Sequence, residues 1–279
     1  MANPALNEKT FAPERLRTIN LDRTGSGVDA PGVTEPAEAH GAGGRGEAWR
    51  DRMTLDGVVL RSLILFPILL ATGWFGWHAV KLRSSELGFV TTTAPGWLLP
   101  VLLGGFAVAM VTIFRPKLSP YTAPLYAAAE GLVLGAISHL YEISYEGIVL
   151  QAVMLTGAVF VIMLTLYSKR IVKVDDRFRR GVIVATLAVM AVYVISMVMR
   201  IFGADIPFIH EASPLGILFS LVVVGIASAN LMLDFDLIEK GVANGAPKWM
   251  EWYAAFGLLV TLVWLYLELL RLLSKLRSR

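Results

Sequence analysis

From Gly57 onward the chain is a succession of apolar runs separated by short polar stretches. A run of roughly 20 apolar residues crosses about 30 Å of hydrocarbon as a helix. In that medium backbone N–H and C=O groups find no water, so each spanning segment closes its hydrogen bonds on itself. Seven such segments read out, at 57–80, 96–114, 121–141, 147–167, 181–202, 214–234 and 250–273. Prolines punctuate their ends: Pro95 ahead of the second, Pro116 and Pro120 behind it, and Pro214 ahead of the sixth. The expected fold class is all-α, a polytopic membrane bundle of seven transmembrane helices, and the short connections predict antiparallel neighbours. Small residues, as in Gly131-Leu-Val-Leu-Gly135 and at Gly225, Ala227, Ser228 and Ala229, allow close helix approach. No internal repeat stands out beyond the helix count.

The chain is 56% hydrophobic and 17% charged, whereas a soluble domain carries about a quarter of charged residues. The absence of cysteine excludes disulfides, thiol catalysis and thiolate metal sites. A net charge of +3 is too small to suggest a nucleic acid partner, and the basic residues sit beside membrane segments. The partners expected are the lipid bilayer, calcium ions or protons, and other membrane proteins. No resident cofactor is expected.

Residues 1–52 differ from the rest. They are rich in Gly, Pro, Ala and charge, as in Thr24-Gly25-Ser26-Gly27 and Gly41-Ala42-Gly43-Gly44. Such a segment buries too little surface to fold alone and reads as a disordered tail. It lacks the apolar core and cleavage site of a signal peptide. The membrane domain is then 53–279.

Lys and Arg beside the spans give the orientation. Arg115, Lys117, the run from Lys169 to Arg180, Lys240 and Lys248 share one face with the tail, while Lys81, Arg83 and Arg200 occupy the other. The basic face is read as cytoplasmic, in a plasma (inner) membrane. Arg271, Lys275, Arg277 and Arg279 disagree, because a seventh crossing puts them outside. Either the bias tolerates them or segment seven is re-entrant.

Membrane-level carboxylates are the chemically informative residues. A charge at that depth costs at least a few kcal/mol, so such groups persist where they face a partner, a cavity or an ion path. Asp234 lies near the cytoplasmic end of segment six, with Asn230 four residues earlier on the same helix face. Glu268 lies within segment seven and Glu130 within segment three. Asp236 and Glu239 follow Asp234 as an acidic mouth or as loop charges. Arg115 ends segment two, as a latch or as a topological anchor. Two facing carboxylates in a low-dielectric site do not both ionise freely, which makes such a pair a pH sensor. It is also a hard cation site, though calcium takes 6 to 8 oxygens and two carboxylates offer at most four. Transient calcium on Asp234 and Glu268 is the metal expectation. Structural readings stand beside these: Asp234 as an interfacial charge, Glu268 and Arg271 as an internal salt bridge, Glu130 as a bundle-interior hydrogen-bonding group.

Catalytic motifs are absent: no His-Glu-x-x-His, no Gly-x-Ser-x-Gly, no phosphate loop. An intramembrane aspartyl protease needs two aspartates on different helices, and segment seven offers Glu268 instead. A retinal protein needs a buried lysine in its last helix, and Lys275 is at the end. None of His40, His78, His139 and His210 has metal-ligand spacing. No enzyme activity is expected.

The tract Leu233-Asp234-Phe235-Asp236-Leu237-Ile238 and the closing Leu-Tyr-Leu-Glu-Leu-Leu-Arg-Leu-Leu, on seven spans, resemble the Bax inhibitor-1/YccA family. The segments Ala123-Pro124-Leu125-Tyr126-Ala127-Ala128-Ala129-Glu130-Gly131 and Met250-Glu251-Trp252-Tyr253-Ala254-Ala255-Phe256-Gly257 look characteristic of its bacterial branch, here with a long polar N-terminal extension. The resemblance covers roughly residues 53–279. It implies a bundle whose seventh helix is surrounded by the other six. It also implies a pH-sensitive calcium leak that works through acidic residues on helices six and seven. Asp234 takes the helix-six position. On helix seven, matching Leu-Tyr-Leu-acid selects Glu268, whereas matching the terminal Leu-Leu-Arg selects Thr261 and breaks the acidic pair. Arg115 matches a family arginine that latches onto the pair. A non-conducting membrane interaction protein, modulating a stress response or a membrane protease, is the alternative function.

Overall fold

The computed structural model describes residues 52–84, 90–93, 95–203 and 213–278. The expected disordered tail lies outside the described residues apart from Arg52, as do His40, His210 and Arg279. Thr54 opens α1 (Leu55–Ala79): its backbone is extended and its hydroxyl accepts from the Gly57 N–H at 3.0 Å, filling one of the orphan donors of a helix start. A short antiparallel hairpin follows, β1 (Lys81–Ser84) against β2 (Val90–Thr93). The hairpin is a local addition to an otherwise helical chain. Val90 and the three threonines after it are β-branched and favour strand over helix.

The remaining helices are α2 (Leu98–Phe114), α3 (Ser119–Ser144), α4 (Ile148–Ser168), α5 (Asp176–Ile201), α6 (Pro214–Ala243) and α7 (Met250–Arg277). A 3-10 turn at Pro116–Leu118 joins α2 to α3. Gly147 precedes α4 at φ 75°, a left-handed conformation that suits glycine. Asp175 caps α5 by accepting from Phe178 N–H at 2.7 Å, and Ser213 caps α6 with Pro214 at its first position.

Among the described residues, seven α-helices fall on the seven expected segments. Six are long and apolar enough to cross a membrane, and α2, with 17 residues, is the shorter apolar helix. At 1.5 Å per residue α2 is about 26 Å long, close to the hydrocarbon thickness. The boundaries move where charge continues a helix beyond its apolar stretch. Thus α5 begins five residues ahead of expectation, at Asp176, and α6 runs on to Ala243. Asp236 and Glu239 are therefore helical residues and not loop charges. The apolar length marks the part inside lipid, while the backbone ladder extends further.

α1 and α3 form the closest pair, and α7 packs on α1, α3, α4 and α6. α2 leans on α3, and α5 on α6. One apolar core joins Leu65 of α1, Ala123, Tyr126 and Leu134 of α3, and Phe256, Leu259 and Val263 of α7. A second joins Ala227, Leu231 and Phe235 of α6 to Leu258, Leu265 and Leu269 of α7, with Phe160 and Met163 of α4 against them. Leu63, Trp74, Leu99, Leu150, Val184 and Leu218 point outward and are exposed, as expected of surfaces that meet lipid.

At the basic face the start of α1 is tied to the α6–α7 turn: Met53 N–H donates to Ala246 O at 2.7 Å, and Ser119 Oγ of α3 donates to Trp249 O at 3.1 Å. At the opposite end, α7 is one unbroken helix of 28 residues, about 42 Å at its standard rise and long enough to cross. Its basic residues there bond back to the protein, and Lys275 among them is buried. Lys275 Nζ donates to Gly216 O and Ser220 Oγ of α6, at 3.1 and 2.8 Å. Arg277 donates to Glu146 O at 2.5 Å.

Candidate functional site

The inward face of α6 carries Asn230 and Asp234 one turn apart, as their spacing predicts. The Asn230 amide nitrogen donates to Thr186 Oγ1 of α5 at 2.8 Å and to Ile226 O at 2.8 Å. Asp234 meets α7. Thr261, whose hydroxyl donates to Gly257 O at 3.2 Å, stands beside this carboxylate, and Gly257, one turn earlier, borders it: a Cβ there would stand in ordinary contact, 4.0 Å from Asp234 Oδ1. Asp234 Oδ2 is buried and has no hydrogen-bond partner.

A cavity of about 410 Å³ opens beside this carboxylate, walled by α2, α3, α5, α6 and α7. Its polar residues are Asp234, Asn230, Thr261, Glu130 and Arg179. Glu130 is half-buried on α3, one turn after Tyr126, which lines the same cavity. The other walls are apolar, including Phe106, Met110, Ile183, Val260 and Trp264. Four oxygen-bearing side chains from three helices thus reach one membrane-level space. They suit a hard cation in transit with water completing its shell, or a proton passing between carboxylates.

Glu268 does not join them. It stands two turns from Thr261 on α7, about 10 Å along the axis at 1.5 Å per residue, and it does not line the cavity. Tyr193 of α5 donates to its Oε2 at 2.8 Å, and Arg271 Nη1 does so at 2.8 Å. Arg271 also donates to Tyr193 Oη at 2.5 Å and lies over its ring at 5.0 Å. The expected Asp234–Glu268 calcium pair is therefore corrected: the two carboxylates occupy different levels of the bundle and different networks. Of the two helix-seven residues weighed, Thr261 lines the cavity with Asp234 and Glu268 does not. The internal Glu268–Arg271 salt bridge is present. Among the described residues no group of three or more His, Cys, Asp or Glu forms a metal cluster.

The latch expectation also changes address. Arg115 is exposed at the end of α2 and does not line the cavity. The arginine at the site is Arg179, which donates to Asp236 Oδ2 at 2.6 Å, and Lys240 adds a bond to the same oxygen at 2.9 Å. Asp236 is buried and doubly paired, not an open mouth. Glu239 is paired as well, with Arg170 at 3.0 Å and with the Tyr167 hydroxyl. A signal for Arg179 was in the sequence: Arg179, Thr186 and Tyr193 recur every seventh residue, one polar line along α5.

A second cluster was missed altogether. Glu251, in the first turn of α7, is 1% exposed. It accepts from Thr54 N–H and Oγ1, both at 3.1 Å, and faces Arg61 of α1 at 3.3 Å. Arg61 lies over the Trp252 ring at 5.4 Å. Its signal was a charged residue inside an apolar span, which needs a buried partner.

A family model described as Bax inhibitor 1 like matches residues 3–278, which includes most of the N-terminal tail. No curated protein matches the chain.

Proposed function

Because the chain belongs to the Bax inhibitor 1 like family, we propose that this multi-pass membrane protein is a pH-regulated cation leak, with calcium as the cation. The observation that carries the reading is the Asp234 carboxylate, which faces a membrane-level cavity with one buried oxygen unpartnered. Glu251 Oε2 and Glu268 Oε1 also lack a hydrogen-bond partner, but of the three carboxylates only Asp234 lines the cavity, where a proton or a cation can reach it. Protonated, Asp234 can hydrogen-bond locally and holds no ion. Ionised, it offers the cavity its strongest ligand, with Glu130, Asn230 and Thr261 as weaker stations beside it. In this reading α7 is the axis of the bundle, supported by its burial and its packing on α1, α3, α4 and α6. The basic face is cytoplasmic and the membrane is the plasma (inner) membrane, supported by the distribution of Lys and Arg.

The test is calcium flux in liposomes holding a trapped calcium dye, at a single pH. Asp234→Asn is expected to abolish the flux, while Glu268→Gln leaves most of it, since Glu268 lies outside the cavity. Equal loss in both variants, or none in either, overturns the reading.

One observation favours a second reading. With Thr261 beside Asp234 and Glu268 outside the cavity, a carboxylate pair between α6 and α7 does not form there. A non-conducting interaction protein, modulating a stress response or a membrane protease, needs no such pair. The absence of flux at every pH, together with a membrane-protein partner lost on deletion of residues 1–52, supports that reading instead.

A further inference from the structure

The helices around α7 leave open seams, one between α1 and α4 and one between α2 and α5. α2 packs on α3 and α5 on α6, with little contact between α2 and α5, and the cavity beside Asp234 is walled by both. Between them α7 is visible from outside: Val260, near its middle, is 36% exposed, and Phe106 on the α2 side is 60% exposed. These are apolar stretches of membrane helices, so the medium at the seam is hydrocarbon and not water. The seam leads inward past Met110, Ile183, Met190 and Trp264 to Asp234. There the buried Oδ2 lacks a partner. The nearest guanidinium does not neutralise it, because Arg179 is engaged by Asp236 at 2.6 Å.

We propose that this cavity binds a lipophilic primary amine that enters sideways from the bilayer between α2 and α5, setting its ammonium against Asp234 and its chain along the apolar walls. An ammonium supplies the charge and the donors that the unpartnered carboxylate oxygen demands, and a charge-assisted bond in a water-poor site is strong. A fatty acid would bring like charge against Asp234 and Glu130. A fatty alcohol would bring one donor and no charge. The volume, about 410 Å³, falls within the 300 to 1,000 Å³ common for small-molecule sites, which are likewise mostly apolar with a few convergent polar groups. The proposal goes beyond the leak reading, since binding requires no ion flux.

The experiment uses the full chain in lipid nanodiscs and a dodecylamine brominated at its chain end, read as quenching of tryptophan fluorescence. Trp264 lines the cavity, so wild type should show a saturable quench that Trp264→Phe removes. Asp234→Asn should weaken amine binding at least about tenfold. Brominated dodecanol should quench without saturation and equally in wild type and variant, as partitioning alone does. Val260→Trp, which fills the seam without touching Asp234, should block the amine and serves as the second test if Asp234→Asn does not fold. Equal, non-saturating quenching by amine and alcohol in the wild type overturns the proposal. So does amine binding of wild-type strength in Asp234→Asn or Val260→Trp. The quench is read without calcium, so a failed flux assay leaves it standing and a failed quench leaves the leak reading untouched.

Discussion

Three carboxylates on α6 and α7 differ in what surrounds them, and that difference separates structure from function. Glu251 is enclosed by Thr54 and Arg61, so it ties the start of α1 to the start of α7. Removing one partner of a buried ion pair leaves the other charge uncompensated, at a cost of about 3 to 5 kcal/mol. Glu251→Ala should therefore lower the thermal midpoint in detergent markedly. Glu239→Ala breaks an exposed pair with Arg170 and should cost under about 1 kcal/mol. Similar midpoints for the two variants would contradict this account of Glu251. Glu268 is likewise paired, by Arg271 and Tyr193. Asp234 alone among the three faces a cavity, with Thr261 opposite. Thr261→Asp adds two carboxylate oxygens to that space, and hard cations bind more tightly as oxygen ligands and charge increase. The calcium concentration that half-saturates flux should fall severalfold. An unchanged value would mean that ions do not pass between α6 and α7 at this level.

Among the elements, α1–α3 and α5 are held by opposite means. α1 and α3 touch through glycine. A Cβ at Gly135 would run into the Gly73 carbonyl, and one at Gly76 into the Leu132 carbonyl, backbone atoms that cannot step aside. Close approach of this kind drives helix association in lipid, where apolar side chains gain nothing by leaving hydrocarbon. Gly135→Ala should destabilise the bundle, whereas Gly157→Ala, with open space at its Cβ, should be close to neutral. The reverse order of midpoints would refute glycine contact as the basis of the pairing. α5 instead is stitched by polar contacts from one face: Arg179 to Asp236, Thr186 to Asn230, and Tyr193 to Glu268 and Arg271. Interhelical hydrogen bonds in membranes contribute about 0.6 to 2 kcal/mol each. Tyr193→Phe should thus raise amide exchange along the outer half of α5 while leaving α3 unchanged. Uniform protection in both helices would show that α5 is held by packing. The small-residue contact of α3 was legible because Gly131 and Gly135 share a helix face. The stitches were not read, since a polar residue every seventh position on α5 gains meaning only once its neighbours are known.

Across the whole molecule, the seven helices were legible because hydrocarbon thickness dictates the length of each apolar run. Length alone does not say which faces meet. The pairing of Asp234 with Thr261 rather than Glu268 depends on how far antiparallel α6 and α7 are offset, and the turn at residues 244–249 sets that offset through backbone contacts with α1 and α3. The hairpin after α1 escaped for another reason: it is too short for a periodic signal. The excess of basic residues at the end of α7, which looked like a topological conflict, has local partners. Arg271, Lys275 and Arg277 bond to Glu268, α6 and the α3–α4 turn. What remains is the claim that one carboxylate, placed in a cavity by this packing, makes the bundle respond to protons. The direct measurement is calcium flux into liposomes across about pH 5 to 8, wild type beside Asp234→Asn. The account predicts a flux that changes with pH in the wild type and no pH-dependent component in the variant. A variant that retains the wild-type pH profile would contradict it.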